Sequence, residues 1–313
     1  MKNTGLIEQA AKRLEELRRG QQGGVQEPAA AAFQAPASVP AGRNDANSRE
    51  PGRPTQAGQQ YLEIDLAHLA AEGFITPDAP RSRIADEFRI LKRPLLANAA
   101  SKGPISIRHG NLIMVTSAVP SEGKTFCSIN LAMSIALELD RSVLLVDADV
   151  AKPSLPKHFR FAPRAGLLDV LMDPSQDLST VLLRTNVEKL TVLPSGRHHV
   201  RATELLASDA MAQLLEEMAS RYSDRIVVFD SPPLLAATES PVLATQMGQI
   251  VVVVQAERTT HRSVEHALTA IESCPVKMMV LNQVASQVGY GYGYGYGYGY
   301  GYGYGESAGK NGG

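Results

Sequence analysis

From Arg83 onward, short aliphatic runs alternate with longer amphipathic segments, and that alternation leaves few folds open. The runs are NLIMVTS (111–117), SVLLVDAD (142–149), KLTVLPSG (189–196), RIVVFDSPP (225–233), QIVVVVQA (249–256) and KMMVLNQ (277–283). Helix-compatible stretches such as TFCSINLAMSIALELD and ATELLASDAMAQLLEEMASRY separate most of them. Strands that are continuously Val, Ile and Leu are buried on both faces, which is the mark of a parallel sheet with helices on either side. The expected fold is α/β, a doubly wound, mostly parallel sheet.

Composition narrows the classes further. A formal net charge of −1 over 313 residues lacks the basic excess of a nucleic-acid surface, so no nucleic-acid partner is expected. Cys127 and Cys274 lie far apart, without His or Cys neighbours at metal spacing, which speaks against a disulfide framework or a zinc site. The longest purely aliphatic run, IVVVV (250–254), is far short of the roughly 18–20 apolar residues of a membrane span. The opening MKNTGLIEQAAKRLEELRRG has no apolar centre of a signal peptide. The expectation is a cytoplasmic protein that reaches the inner face of the plasma membrane only through a partner.

The ends read differently from the middle. Residues 1–19 place Leu6, Ile7, Ala10, Leu14 and Leu17 at helical spacing, as a docking helix or a solvated one. Residues 20–60 are Ala, Pro, Gly, Gln and Asn with almost no large apolar side chains, a disordered linker. The domain then spans 61–288. Residues 289–313 hold Tyr290, Tyr292, Tyr294, Tyr296, Tyr298, Tyr300, Tyr302 and Tyr304 with glycine between them, a flexible tail that cannot build a helix or a core.

The chemistry sits where MVTSAVPSEGKTF joins the first long run to a helix. Gly123-Lys124-Thr125 is the G-K-[ST] end of a phosphate loop, although Ala118 stands where the strict pattern has glycine. Backbone N–H groups at a helix start bind phosphate, Lys124 reaches the β and γ oxygens, and the Thr125 hydroxyl can ligate Mg²⁺. Asp147 and Asp149 end the next run, and Asp230 ends another. In open parallel sheets these strand ends share the ligand crevice, so the loop and three carboxylates are expected to converge on ATP and Mg²⁺. No N-K-x-D guanine-reading motif follows any run. Asn282 either touches the base or serves as a turn residue. These features fit a P-loop NTPase, with the G-K-T loop as its phosphate-binding segment. The nucleotide-contacting set is Ser121, Glu122, Gly123, Lys124, Thr125, Phe126 and Asn282.

SAVPSEGKT, LLVDAD with KPS close behind, and VVFDSPP resemble the three Walker-type motifs of the bacterial tyrosine kinases, over roughly residues 81–284. LIEQAAKRLEELRR and ADEFRILKRPLLAN are similar to the branch encoded with exosortase-linked exopolysaccharide systems. The resemblance implies that Lys124 holds the phosphates and that Thr125, Asp149 and Asp230 lie on the metal side. It makes Asp147 the group that orients or deprotonates an incoming tyrosine hydroxyl, and the tail tyrosines the autophosphorylation substrate. It implies a ring-like homo-oligomer, a separate membrane chain-length-determining activator and a cognate tyrosine phosphatase. The family's E-x-x-R-x-x-R assembly helix, expected over 83–98, appears as Asp86, Arg89 and Lys92, and lysine cannot reproduce a bidentate arginine contact. After the D-x-D, Ala151 stands where the family has Arg, with Lys152 beside it.

The tail can serve that site on reach alone. Tyr290 to Tyr304 can extend to roughly 50 Å. Eight phosphates would add about −12 to −16 charges, enough to favour dissociation of a crowded ring. Two rival readings exist. A deviant-Walker partitioning ATPase would need a signature lysine where Val119 stands. A non-enzymatic scaffold would use the Tyr/Gly tail for self-association and leave the carboxylates without a role.

Overall fold

The computed structural model describes residues 60–285, apart from 80, 104–105, 174 and 222–224. The expected N-terminal helix, the linker up to residue 59, the tail tyrosines and Tyr222 lie outside the described residues. The chain enters as β1 (Gln60–Leu62), α1 (Leu66–Ala71) and α2 (Arg83–Ala100), then β2 (Leu112–Ser117), α3 (Lys124–Ala136) and β3 (Ser142–Asp147). Two short helices, α4 (Leu155–His158) and α5 (Leu167–Met172), lead to β4 (Leu183–Thr185) and β5 (Leu190–Leu193). There follow α6 (Ala202–Leu206), α7 (Asp209–Arg221), β6 (Arg225–Asp230), α8 (Glu239–Ala244), β7 (Gln249–Gln255), α9 (His261–Ala270) and β8 (Val276–Asn282).

One sheet of eight strands results, in the order β1-β4-β5-β3-β6-β2-β7-β8. All six runs named from the sequence are strands, and they are mutually parallel. β1 and β4 were not anticipated. Each has three residues, and β4 runs antiparallel to β5 while β1 is parallel to β4. β1 begins at Gln60, inside the span read as linker.

Alternate residues of the central strands enter separate cores, which explains their unbroken aliphatic sequence. Ile113, Val115, Val143, Leu145, Val228 and Val251 pack with α2 and α3 on one face. Met114, Leu144, Val146, Phe229 and Val252 pack with α5, α7 and Ala267 of α9 on the other. α3 is buried almost all round. Its Asn130 survives there because Oδ1 accepts the Ile75 N–H at 2.7 Å and Nδ2 donates to the Phe126 carbonyl.

α2 starts at Ser82, whose hydroxyl accepts the Ala85 N–H. Asp86 and Arg89 form an exposed ion pair on it. Lys92, the third residue of the expected assembly motif, is turned inward. It is 4% exposed, donates to the Ser134 carbonyl and lies 2.6 Å from the Glu138 carboxylate, tying α2 to the end of α3. Among the described residues, no helix is long and apolar enough to cross a membrane.

Candidate functional site

The sheet order places the site. β6 lies between β2 and β3, with Asp230 in register with both Val115 and Asp147. The phosphate loop leaves β2 directly beside these two carboxylates.

The loop is held by its own glutamate. Glu122 is fully buried; Oε2 accepts the Val119 N–H at 2.7 Å, and Oε1 accepts the Gln255 N–H at 3.2 Å and the Thr259 hydroxyl. Its backbone carbonyl accepts Asn282 Nδ2 at 2.9 Å, and the Ser121 carbonyl accepts Gln283 Nε2 at 3.3 Å. The loop is thus pinned to the carboxyl ends of β7 and β8. Gly123 initiates α3 at φ +93°, and a Cβ there would stand 2.1 Å from Asn282 Nδ2. Only glycine meets both demands. Ser121 also has a left-handed backbone, φ 70°.

Three carboxylates surround Lys124 and Thr125. Lys124 Nζ lies 2.8 Å from Asp149 Oδ2, with both side chains largely buried. Asp149 Oδ1 accepts the Lys152 N–H. Asp230 accepts from the Ser128 hydroxyl at 3.0 Å, while its Oδ2 is buried without a partner. Thr125 lies 3.3 Å from the Ser154 hydroxyl. Asp147 is fully buried; Oδ2 accepts the Leu155 N–H at 3.1 Å and Oδ1 has no partner.

Burial, reinforced by the charges of Asp230 and Asp149, holds the Asp147 carboxyl well above the usual carboxylate range, against the Leu155 N–H and Lys124. Burial likewise raises Asp230, while Lys124 and the hydroxyls of Thr125 and Ser128 pull it down. Crowded carboxyls in a dry site resist full ionisation, so this cluster is poised to accept positive charge or to keep a proton.

The sequence-derived set is therefore brought together with one exception. Phe126 turns its ring onto Phe74, centroids 5.0 Å apart, in the core beneath the loop, so only its backbone is offered to the rim. Asn282 is at the rim and bonds the loop itself. Val119 packs partly buried against the core. Cys127 sits under Asp230 with its thiol pushed up to about 12 by burial and by that carboxylate, and serves packing. Residues the motifs did not reveal are Ser128, Gln255, Thr259 and Gln283, together with the clamping role of the Glu122 side chain; Ser154 is the serine of the KPS segment. Ser128 alone carried a sequence signal, one helical turn after Lys124. A depression of about 330 Å³ lined by Arg108, His109, Gln246 and Met247 lies at the opposite strand ends and touches none of this.

A family model described as an AAA domain matches residues 111–283. Tyrosine-protein kinase ptk of Acinetobacter johnsonii is 35% identical over 189 residues, 59% of this chain and 25% of that protein. Tyrosine-protein kinase YwqD of Bacillus subtilis is 33% identical over 167 residues, 53% of this chain and 69% of its own length. The chain belongs to the bacterial tyrosine kinase family. The solved kinase domain of the Escherichia coli tyrosine kinase ETK agrees in fold, with a TM-score of 0.59 and 27% identity over 76% of this bacterial tyrosine kinase and 94% of that domain. The chain spans about a quarter of the length of the Acinetobacter relative it matches.

Proposed function

We propose that this chain is an ATP-dependent protein-tyrosine kinase that phosphorylates its own C-terminal tyrosines, Tyr290 to Tyr304, between subunits. The observation that carries the reading is a junction. The strand leading to those tyrosines ends hydrogen-bonded to the phosphate loop that holds Lys124 and Thr125 beside Asp147, Asp149 and Asp230.

Loop amides and the start of α3 bind the phosphates. A triphosphate competes with Asp149 for the Lys124 ammonium and so frees that carboxylate. Mg²⁺ fits the donors left at the rim, because Asp230 Oδ2 is buried without a partner and Thr125 lies beside it. Thr125, Asp149 and Asp230 would hold the ion. Among the described residues, no three or more His, Cys, Asp or Glu side chains are grouped to hold a metal by themselves, consistent with a site that needs phosphate oxygens to complete its shell. A bound ion would supply charge neutralisation for phosphoryl transfer.

A phenol, of pKa near 10, needs a base as its oxygen accepts the phosphoryl group. Asp147 is the candidate, since its environment raises its proton affinity. Asp86 and Arg89 are the exposed candidates for subunit contacts on α2. Control of exopolysaccharide synthesis or export through a membrane activator, with a cognate phosphatase resetting the tail, is the setting we assign from the motif resemblance. Phosphorylated tails repel one another and favour smaller assemblies.

The test is incubation of the full chain with Mg²⁺ and ATP, with and without its membrane activator, followed by mass spectrometry of the tail. Phosphotyrosine is expected in the wild type and absent from Lys124→Met. A wild type whose eight tail tyrosines stay unmodified under all conditions would overturn the reading.

A further inference from the structure

β8 is an edge strand: it pairs with β7 and, among the described residues, with nothing on its other side. The Ala256 N–H donates to the Asn282 carbonyl, and alternate residues of a parallel ladder turn both backbone groups the same way. Asn282, Val280 and Met278 therefore face β7. Leu281, Met279 and Lys277 direct their N–H and C=O groups to the open edge.

The side chains of that second set make the edge unusual. Met279 and Leu281 are 59% and 61% exposed, and Val284 just beyond is 58% exposed. Proteins commonly guard such an edge with an outward lysine. Lys277 does not serve here, because its ammonium is folded back onto the carbonyls of Glu272 and Cys274. Among the described residues, an unpaired ladder with an apolar strip is thus left uncovered.

The sequence that leaves this strand carries the complementary period. Tyrosine occupies every second position from 290 to 304 with glycine between. In an extended chain this puts every phenol on one face and bare backbone on the other. The chain turns off the line of β8 at once, at Gln283, whose φ is 56° and whose side chain is held by the Ser121 carbonyl. Residues 283–289 separate strand from repeat, more than the two to five or so residues that a hairpin return requires.

We propose that the unmodified Tyr/Gly segment folds back beside its own β8 as a ninth strand, its phenols laid over Met279 and Leu281. Aromatic rings pair well across strands with such partners, and a one-residue slip would put glycine over the strip instead. A facing strand as long as β8 accommodates three or four of the eight tyrosines. Each phosphate brings about −1.5 to −2 charges to an apolar surface, so modification releases the segment; this last step alone rests on the kinase reading.

The experiment is hydrogen exchange at the Met279 and Leu281 amides of phosphatase-treated full-length protein, without nucleotide. These amides should exchange about tenfold or more slowly than in a full-length variant with all eight tail tyrosines replaced by serine. The corresponding phenylalanine variant should keep the protection. Equal exchange in the wild type and the serine variant would overturn the proposal. So would protection that rises with protein concentration, which would assign the edge to a second copy. No arm involves phosphoryl transfer, so an inactive kinase leaves this result standing and a failed docking leaves the kinase reading intact.

Discussion

The Lys124 ammonium and the Asp149 carboxylate face each other at 2.8 Å, in a pair largely withdrawn from water. Removing one member of such a pair leaves the other uncompensated. Lys124→Met therefore does more than delete a phosphate ligand, since Asp147 and Asp230 lose the same cation. We expect phosphoryl transfer to fall by about 10²–10³-fold or more, measured as tail phosphotyrosine per minute.

Asp147 has a folded-state pKa raised above its unfolded value. The folded protein then binds the extra proton, so this group's contribution to stability is fully present at and below the ordinary carboxylate range. It declines as pH rises toward the elevated value. Asp147→Asn should flatten that decline and raise Tm near pH 8 by a few degrees, at ~2–4 °C per kcal/mol for a domain of this size. The same variant should lose phosphoryl transfer. Calorimetry at pH 5 and pH 8 checks the first statement; equal wild-type Tm at both would contradict it.

Glu122 satisfies three donors with one carboxylate. In Glu122→Ala these are left buried without an acceptor, at about 1–3 kcal/mol each before relaxation or water entry. A drop in urea midpoint together with weaker nucleotide binding is expected. Glu122→Gln, which keeps one acceptor oxygen, should fall between.

Gly123→Ala meets two obstacles, the left-handed φ and the Asn282 amide. Adding Asn282→Ala removes the collision and not the backbone strain, of order 1–3 kcal/mol. The double variant should recover part of the lost stability in urea titrations, and full recovery would show that φ is unimportant there.

Lys92 and Arg89 should separate folding from assembly. Lys92→Glu places like charge against Glu138 and should lower Tm at every protein concentration. Arg89→Ala removes an exposed pair worth ~0.2–1 kcal/mol at most and should alter mass by light scattering with little change in Tm.

Legibility followed sequence range. β2, β3, β5, β6, β7 and β8 could be read because strands buried on both faces must be aliphatic throughout. β1 and β4 escaped because three residues at a sheet margin need no such run. Lys124, Thr125 and the three aspartates were legible because phosphate and metal chemistry restrict residue type at strand ends. The clamp through Glu122 was not, since Gln255 and Thr259 lie more than 130 positions away and a buried glutamate in a polar loop has no local signature. The burial of Lys92 was not legible for a related reason. A charged side chain on a helix reads as solvent-facing until the carbonyl and carboxylate that receive it are known.

Asn282 and Gln283 give the domain an end that differs from the end of its sheet. A protein cut after Leu281 would keep nearly every rung of the β-ladder and yet lose both amides that steady the Ser121–Glu122 carbonyls. It would fold as a sheet and arrive with its anion cradle slack. The smallest competent unit therefore finishes at Gln283, one residue beyond the last residue of β8.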